Sequence, residues 1–380
     1  MKLLEAYKEF ESLDDRCKYI FSIMQKSGPV AKSELINITK IKLTTLNRNL
    51  QILIDKKMIV ETDIGESTGG RKPSLYDVNQ SGVYIIGIDI SRTYTRIVIT
   101  NLKLKIIEEE LIGREYKIEK ISEIIPAYIK KLCMKSQIQK SSIVGIGIGI
   151  VGGFNIQPLY DSLSKELNAP ICIDNGANAA VIGEYHYGIG KDKKNIAYVN
   201  CGVGIRTGII SSGVLIRTIN NLEDAFGHMI VNANGDLCSC GNYGCIESYV
   251  SISNITKKFI SKIKENTALD INKEVENIDY KDVCSLAERK NEVAVDIIRN
   301  SAFYMGIGLS NYMKLFNPEL IMLSGPLIQH SKLFYDTTKK IAFEKCHIIN
   351  SKIQFTNSGY YKDKSIAVGG CAMVMQKLLK

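Results

Sequence analysis

Residues 227–248 read GHMIVNANGDLCSCGNYGCIES, gathering three of the chain's ten cysteines and one of its four histidines into one segment. The spacing C-x-C-G-x-x-G-C admits three readings: a metal clamp, a redox device, or a chance cluster in a cysteine-tolerant chain. Outward from it, strand and helix patterns alternate. From Val83, VYIIGIDI and TRIVITNL form a strand, a turn and a second strand, with KIIEEELI as a third. ISEIIPAYIKKLCMKS is an amphipathic helix, IVGIGIGIVGG a buried strand entering a glycine turn, and APICIDNGANAAVIGEYHYG a strand, loop and helix. NIAYVNCGVGIRTGIISSGV repeats the opening hairpin with its own glycine turn. AVDIIRNSAFYMGIGLSNYMKLFNPELIMLSGPL is a long helix leading into a strand, and SIAVGGCAMVMQKLL is a closing helix. Two hairpins with glycine turns, each followed by α/β elements, predict a two-lobed α/β fold with a ligand cleft between lobes. Such turns can wrap a phosphate with backbone N–H groups, although tight turns alone explain them as well.

A chain of 380 residues suits two or three domains. Hydrophobic residues at 45% and charged residues at 23% fit a globular protein and argue against disorder. The net charge is +9, yet residues 1–80 hold 13 Lys and Arg against 11 Asp and Glu, so individual cations must carry any polyanion argument. MKLLEAYKEFESLDD lacks the apolar core of a signal peptide, and the longest apolar run, 143–154, is too short to span a bilayer. A cytoplasmic protein with no membrane partner is expected. Its thiols are then reduced or metal-bound, and Cys17, Cys133, Cys172, Cys201, Cys284, Cys346 and Cys371 read as small buried residues.

The first eighty residues differ. Arg16–Ser27 is helical by spacing and stops at Gly28-Pro29. A short helix over Lys32–Ile38, a turn over Thr39–Lys42 and a longer helix from Leu43 to about Asp55 follow. Leu43, Leu46, Leu50 and Leu53 form one stripe of that helix, which leaves Thr44, Thr45, Asn47, Arg48 and Gln51 on the opposite face. This is a helix-turn-helix pattern, with those five side chains as base-reading candidates. Met58–Thr62 and Leu75–Val78 read as strands of a wing whose tip, DIGESTGGRKPS, presents Gly69, Gly70, Arg71 and Lys72 to phosphates and the minor groove. A three-helix bundle docked on the rest of the chain is the structural alternative.

Together these segments resemble the ROK family of repressors, open reading frames and sugar kinases, from about Arg16 to the C-terminus. The N-terminal part resembles the winged helix of the regulator branch, down to STGGRKP at 67–73. The remainder resembles the family's actin-like, hexokinase-type (ribonuclease H-like) ATPase fold. Segment 227–248 is similar to the signature GH…CxCGxxGCxE. The resemblance implies a winged helix-turn-helix domain at 1–80, a first α/β lobe at 81–195 with 365–380, and a second at 196–364 carrying a zinc-binding loop. It implies His228, Cys238, Cys240 and Cys245 as ligands of a structural zinc. One imidazole and three thiolates suit tetrahedral zinc with no position open for catalysis. Three clustered thiols without a metal would invite oxidation, and no C-x-x-C redox pair is present.

The same resemblance exposes losses. The family's kinases read Asn-Asp-Ala-Asn at the loop that supplies the general base, but this chain reads Asn175-Gly176-Ala177-Asn178. Glycine accepts no proton, and Asp174 sits at a strand position two residues earlier. The kinases' Glu-x-Gly-His is Ala225-Phe226-Gly227-His228 here, with Asp224 off by one. The first phosphate turn, Asp-x-Gly-x-Thr in kinases, reads Asp89-Ile90-Ser91-Arg92-Thr93, and the second carries the bulky Arg206. The stretch from Gly153 to Pro170 is shorter than the family's sugar-side loop. Gly152, Gly153, Asn175, His228 and Glu247 survive as effector-binding candidates, for a sugar or sugar phosphate; a vestigial scaffold that only dimerises is the alternative. The expectation is a DNA-binding regulator, a repressor of carbohydrate-related genes without catalytic residues, acting on a double-stranded operator as a homodimer or homotetramer. The rival is a sugar kinase with an appended DNA-binding head.

Overall fold

The computed structural model describes residues 5–62, 74–113, 120–150, 152, 154–217, 225–265, 277–347 and 352–380. The chain divides into two compact units, residues 1–179 with 366–380, and residues 180–365.

The first unit opens with α1 (Glu5–Glu11), α2 (Asp15–Ser27), β1 (Val30–Ala31), α3 (Lys32–Thr39), α4 (Leu43–Asp55), β2 (Ile59–Thr62) and β3 (Leu75–Val78). The strands form an antiparallel sheet in the order β1-β3-β2. Asp14 caps α2 by accepting the Cys17 N–H at 2.7 Å. The Glu34 carboxylate accepts the Ala31 N–H at 3.0 Å and starts α3. Lys40 ends it in the left-handed region at φ 57°, while the Thr39 hydroxyl accepts the Ile41 N–H at 3.2 Å and fixes the turn. The geometry of α3, the turn and α4 thus follows from local capping. Within residues 1–80, two elements escape the sequence reading: α1, whose Phe10 is buried edge-on against Phe21 at 5.3 Å, and β1. Two expectations are corrected. Cys172, expected to be a small buried residue, is half-buried. Leu46, Leu50 and Leu53 are buried, but Leu43 is 52% exposed. It is the first residue of α4, ahead of the packed face, and Asn49 completes the buried set instead.

Beyond the head come β4 (Tyr84–Ile90), β5 (Thr95–Asn101), β6 (Ile106–Ile112), α5 (Ile121–Lys135), β7 (Ile143–Ile150), α6 (Gln157–Leu167), β8 (Ile171–Asn175) and α7 (Gly176–Tyr187). The sheet runs β6-β5-β4-β7-β8, antiparallel on the β6 side and parallel through β7 and β8.

The second unit holds β9 (Ile196–Cys201), β10 (Ile205–Ser211), β11 (Val214–Ile216), α8 (Ile246–Val250), α9 (Ile252–Glu265), α10 (Tyr280–Glu288), α11 (Glu292–Phe316), β12 (Leu320–Ser324), α12 (Pro326–His330), α13 (Lys332–Glu344) and β13 (Gln354–Thr356). Its sheet, β11-β10-β9-β12-β13, repeats the first pattern: a hairpin pair on one side, two parallel additions on the other.

The closing helix α14 (Ser365–Leu379) explains the run IVGIGIGI. In a strand, alternate residues face opposite sides. Ile146 and Ile148 enter the apolar core with Leu159 and Leu163. Gly147 faces the other way, where a Cβ would collide with the Gly370 carbonyl; one on Gly87 would collide with that of Ala367. Glycine lets α14 lie directly on the backbone of β4 and β7. Among the described residues, no helix is long and apolar enough to cross a membrane.

Candidate functional site

The outward face of α4 carries the base-reading candidates. Thr44, Asn47, Arg48 and Gln51 are exposed and Thr45 is half-buried. Gln51 donates to Asp55 at 2.8 Å along the helix. Leu43 joins them on the open surface. Gly69, Gly70, Arg71 and Lys72 lie outside the described residues.

In the second unit, the donor atoms of His228, Cys238, Cys240 and Cys245 all lie within 4.8 Å of one another. Cys238 Sγ is 3.5 Å from His228 Nδ1, and Cys240 Sγ is 3.7 Å from Cys245 Sγ. A tetrahedral zinc with ordinary bond lengths separates such pairs by roughly 3.6 and 3.8 Å, so these two pairs already have tetrahedral spacing and the donor set could hold a metal ion. The loop is shaped for this. Gly241 and Gly244 adopt φ 90° and 72°. The Cys238 N–H donates to Asn242 O at 2.8 Å, and Leu237 bridges Tyr243. Behind it, the Tyr249 hydroxyl accepts the Asp236 N–H at 2.9 Å, its ring stacks on Tyr304 at 3.7 Å, and Lys258 sits 4.6 Å above that ring while pairing with Asp236 at 2.6 Å. This brace was not legible in the sequence, because its members are far apart in the chain.

The ligand-site candidates fall in both units. In the first, Gly152 is exposed after β7, and Gly153 lies outside the described residues. Asp174 Oδ1 accepts the Asn175 N–H at 2.8 Å and Asn178 Nδ2 at 3.0 Å, while Asn175 Oδ1 accepts the Asn178 N–H at 2.8 Å. This web caps α7 and occupies Asp174. Asn175 Nδ2 is buried with no partner among the described residues. In the second unit, His228 faces the thiols through Nδ1. Glu247 accepts the Ile205 N–H at 3.1 Å and the Ser239 hydroxyl at 3.4 Å. Ala225 is exposed; Asp224 lies outside the described residues.

Both hairpin turns, the first without a glycine, have amides engaged within the chain. In the first, the Ser91 N–H donates to Tyr94 O at 2.9 Å and the Thr93 N–H to the Ser91 hydroxyl at 3.3 Å. In the second, the Gly202 N–H donates to Gly204 O at 3.2 Å, and the Ile205 N–H already holds a carboxylate. A negative group seated there opposes a phosphate.

Asp89, ahead of the first turn, is 2% exposed, pairs in register with Arg96 across β4 and β5, and accepts the Tyr94 hydroxyl at 2.9 Å. Burial pushes its carboxyl up to about 7, against the lowering pull of Tyr94 and Arg96. The folded chain therefore holds this proton more tightly than the unfolded chain. Stability is expected to fall as pH rises from 3.8 toward about 7 and to level off above it. Denaturant unfolding across that window measures the slope, and Asp89→Asn is expected to flatten it.

A model described as the ROK family matches residues 85–377. The chain belongs to the ROK family. A xylose repressor from Caldicellulosiruptor bescii is 30% identical over 381 residues, covering 92% of this chain and 94% of its own. Among solved structures, a ROK family transcriptional regulator, described as a homolog of the E. coli MLC protein, superposes with a TM-score of 0.78 at 20% identity, covering 98% of this chain and 97% of its own. A ROK glucokinase from Streptomyces griseus, in complex with glucose and AMPPNP, superposes with a TM-score of 0.65 at 24% identity over 77% of this chain and 99% of its own. These superpositions establish the α/β fold expected from the sequence.

Within the ROK frame, the loss at position 176 has a structural counterpart. A Cβ there would stand 3.1 Å from Ile366 Cδ1 and 3.3 Å from its Cγ2. Ile366 would have to give by a few tenths of an ångström to admit a side chain at 176. The sequence shows the missing carboxylate; the packing of α14 shows how tightly its place is bordered.

Proposed function

We propose that this ROK chain is a DNA-binding transcriptional repressor of carbohydrate-related genes, whose kinase-like body senses a ligand and does not phosphorylate it. The observation that carries this is the polar, cationic outer face of α4, on a head of the kind expected of the regulator branch. The near full-length similarity to a xylose repressor supports it. Residues 1–80 act as the winged head, with Gly69, Gly70, Arg71 and Lys72 as its wing tip. Residues 81–195 with 365–380, and 196–364, act as the two lobes. His228, Cys238, Cys240 and Cys245 hold a structural zinc that orders the loop carrying Glu247. Gly152, Gly153, Asn175, His228 and Glu247 take a sugar or sugar phosphate; the unpaired amide of Asn175 supports this, since a buried donor gains from an acceptor. Pairing of two chains, and of dimers into tetramers, places two α4 helices on a palindromic operator. A ligand shifts DNA affinity only through different affinities for two states. The protein works in the cytoplasm.

Selection from a random duplex library with full-length protein is expected to enrich a defined site, with affinity falling steeply as salt rises. Failure to enrich any sequence overturns the reading. With ATP and a panel of hexoses and N-acyl-hexosamines, no turnover is expected, either from the natural chain or from Gly176→Asp, whose Cβ would press on Ile366 at 3.1 Å. Turnover that Asn175→Ala abolishes establishes the kinase instead.

A further inference from the structure

The head joins the first lobe through residues 79–83, NQSGV, of which Gln80, Ser81 and Gly82 are exposed. So short and bare a connection limits reach without setting orientation. Beside it, the same N-terminal segment meets the lobe where α1 packs on β7 and at the turn between β5 and β6. The Asn101 side-chain oxygen accepts the N–H groups of Lys103 and Lys105, each at 3.0 Å, and Leu104 stands in the left-handed region at φ 58°. This rigid turn carries Leu102 and Leu104, 0% and 2% exposed. The Leu102 carbonyl accepts Gln25 Nε2 from α2 at 3.2 Å. Lys103 Nζ lies 2.5 and 2.6 Å from the two carboxylate oxygens of Asp77 on β3, with the side chains 19% and 7% exposed. Asp77 is further held by the Val78 N–H at 2.8 Å.

A mostly buried ion pair returns little net stability, because desolvation offsets its attraction; its best-attested use is to fix register. Here it joins the strand returning from the wing to a turn of the other domain. We infer that Asp77 and Lys103 are positioning residues for the head, holding α4 at one orientation to the lobe so that a paired molecule accepts one spacing between half-sites. This rests on the DNA-binding reading above. Two points linked by hydrogen bond and ion pair, Gln25–Leu102 and Asp77–Lys103, define an orientation that a single link does not.

The test uses full-length Lys103→Met, Asp77→Asn, and the reversal Asp77→Lys with Lys103→Asp. Hydrogen exchange at residues 79–83 is expected to quicken by roughly tenfold or more in each single variant and to return toward the natural rate in the reversal. In selections from a library with two half-sites at varied separation, the natural chain enriches one separation. The single variants are expected to accept its neighbours, their preference falling by about tenfold as the head's effective concentration drops, with affinity for a lone half-site unchanged. Unchanged exchange, or faster exchange with unaltered spacing preference, overturns the inference. So does a natural chain that enriches half-sites without fixed separation. If the natural chain enriches no DNA, the DNA-binding reading falls, and the exchange arm still decides whether the pair orders the junction. Should Lys103→Met unfold the head, exchange in α2 and α4 rises as well, and Lys103→Gln carries both arms.

Discussion

Arg48→Ala is expected to remove most sequence discrimination while sparing the fold. Arg48 is exposed on the second turn of α4, on the face opposite buried Leu46, Leu50 and Leu53. A guanidinium there can bond guanine O6 and N7 together, and losing such a contact costs ~1–3 kcal/mol of discrimination. Fluorescence anisotropy with the selected duplex and a scrambled one measures it. Specific affinity is expected to fall toward the non-specific value, and thermal unfolding to stay unchanged because no buried group is touched. Combined with Arg71→Ala at the proposed wing tip, binding is expected to disappear at physiological salt. A footprint that survives both substitutions removes α4 and the wing from the interface.

Cys245→Ser is expected to have the other large effect. Cys245 is fully buried, pairs with Cys240 at 3.7 Å and leads into α8. Structural zinc contributes folding free energy directly, ~10–16 kcal/mol in small zinc-binding peptides at neutral pH. Natural protein is expected to carry one zinc per chain by elemental analysis. The variant is expected to bind zinc more than ~100-fold more weakly, since loss of a ligand exceeds the 10–100-fold effect of an outer-shell partner. Competition with a chromophoric chelator gives the ratio. Equal affinities would remove Cys245 from the metal centre. Tyr249→Phe, which loses only the hydroxyl that receives the Asp236 N–H, is expected to weaken zinc within that outer-shell range.

Short-range chemistry was readable along the chain. The turn at Thr39–Lys42, the strand at Leu75–Val78 and the alternation of IVGIGIGI each state their structure through spacing and residue type. The cysteine cluster stood out for the same reason, since its thiols are packed into one loop, but its reading as a zinc site came from the family resemblance. What stayed hidden depends on partners remote in sequence. Leu43 looked like core because leucine at helical spacing usually is; its exposure follows from where α4 begins relative to its neighbours. The cage around Asp89 needs the register of β4 and β5. Glu247 was readable as a candidate, but its hold on the Ile205 amide spans 42 residues. The Asp77–Lys103 tie joins residues 26 positions apart, and no local pattern marks it.

The seat of α14 against Gly87 and Gly147 sets an order of assembly. The helix that covers the first sheet is made only after the whole second unit, residues 180–365, has left the ribosome. At ordinary elongation rates that delay is on the order of ten to forty seconds. During it the first sheet lacks one wall and shows a bare glycine-lined surface, and chaperone dependence during synthesis should track that sheet.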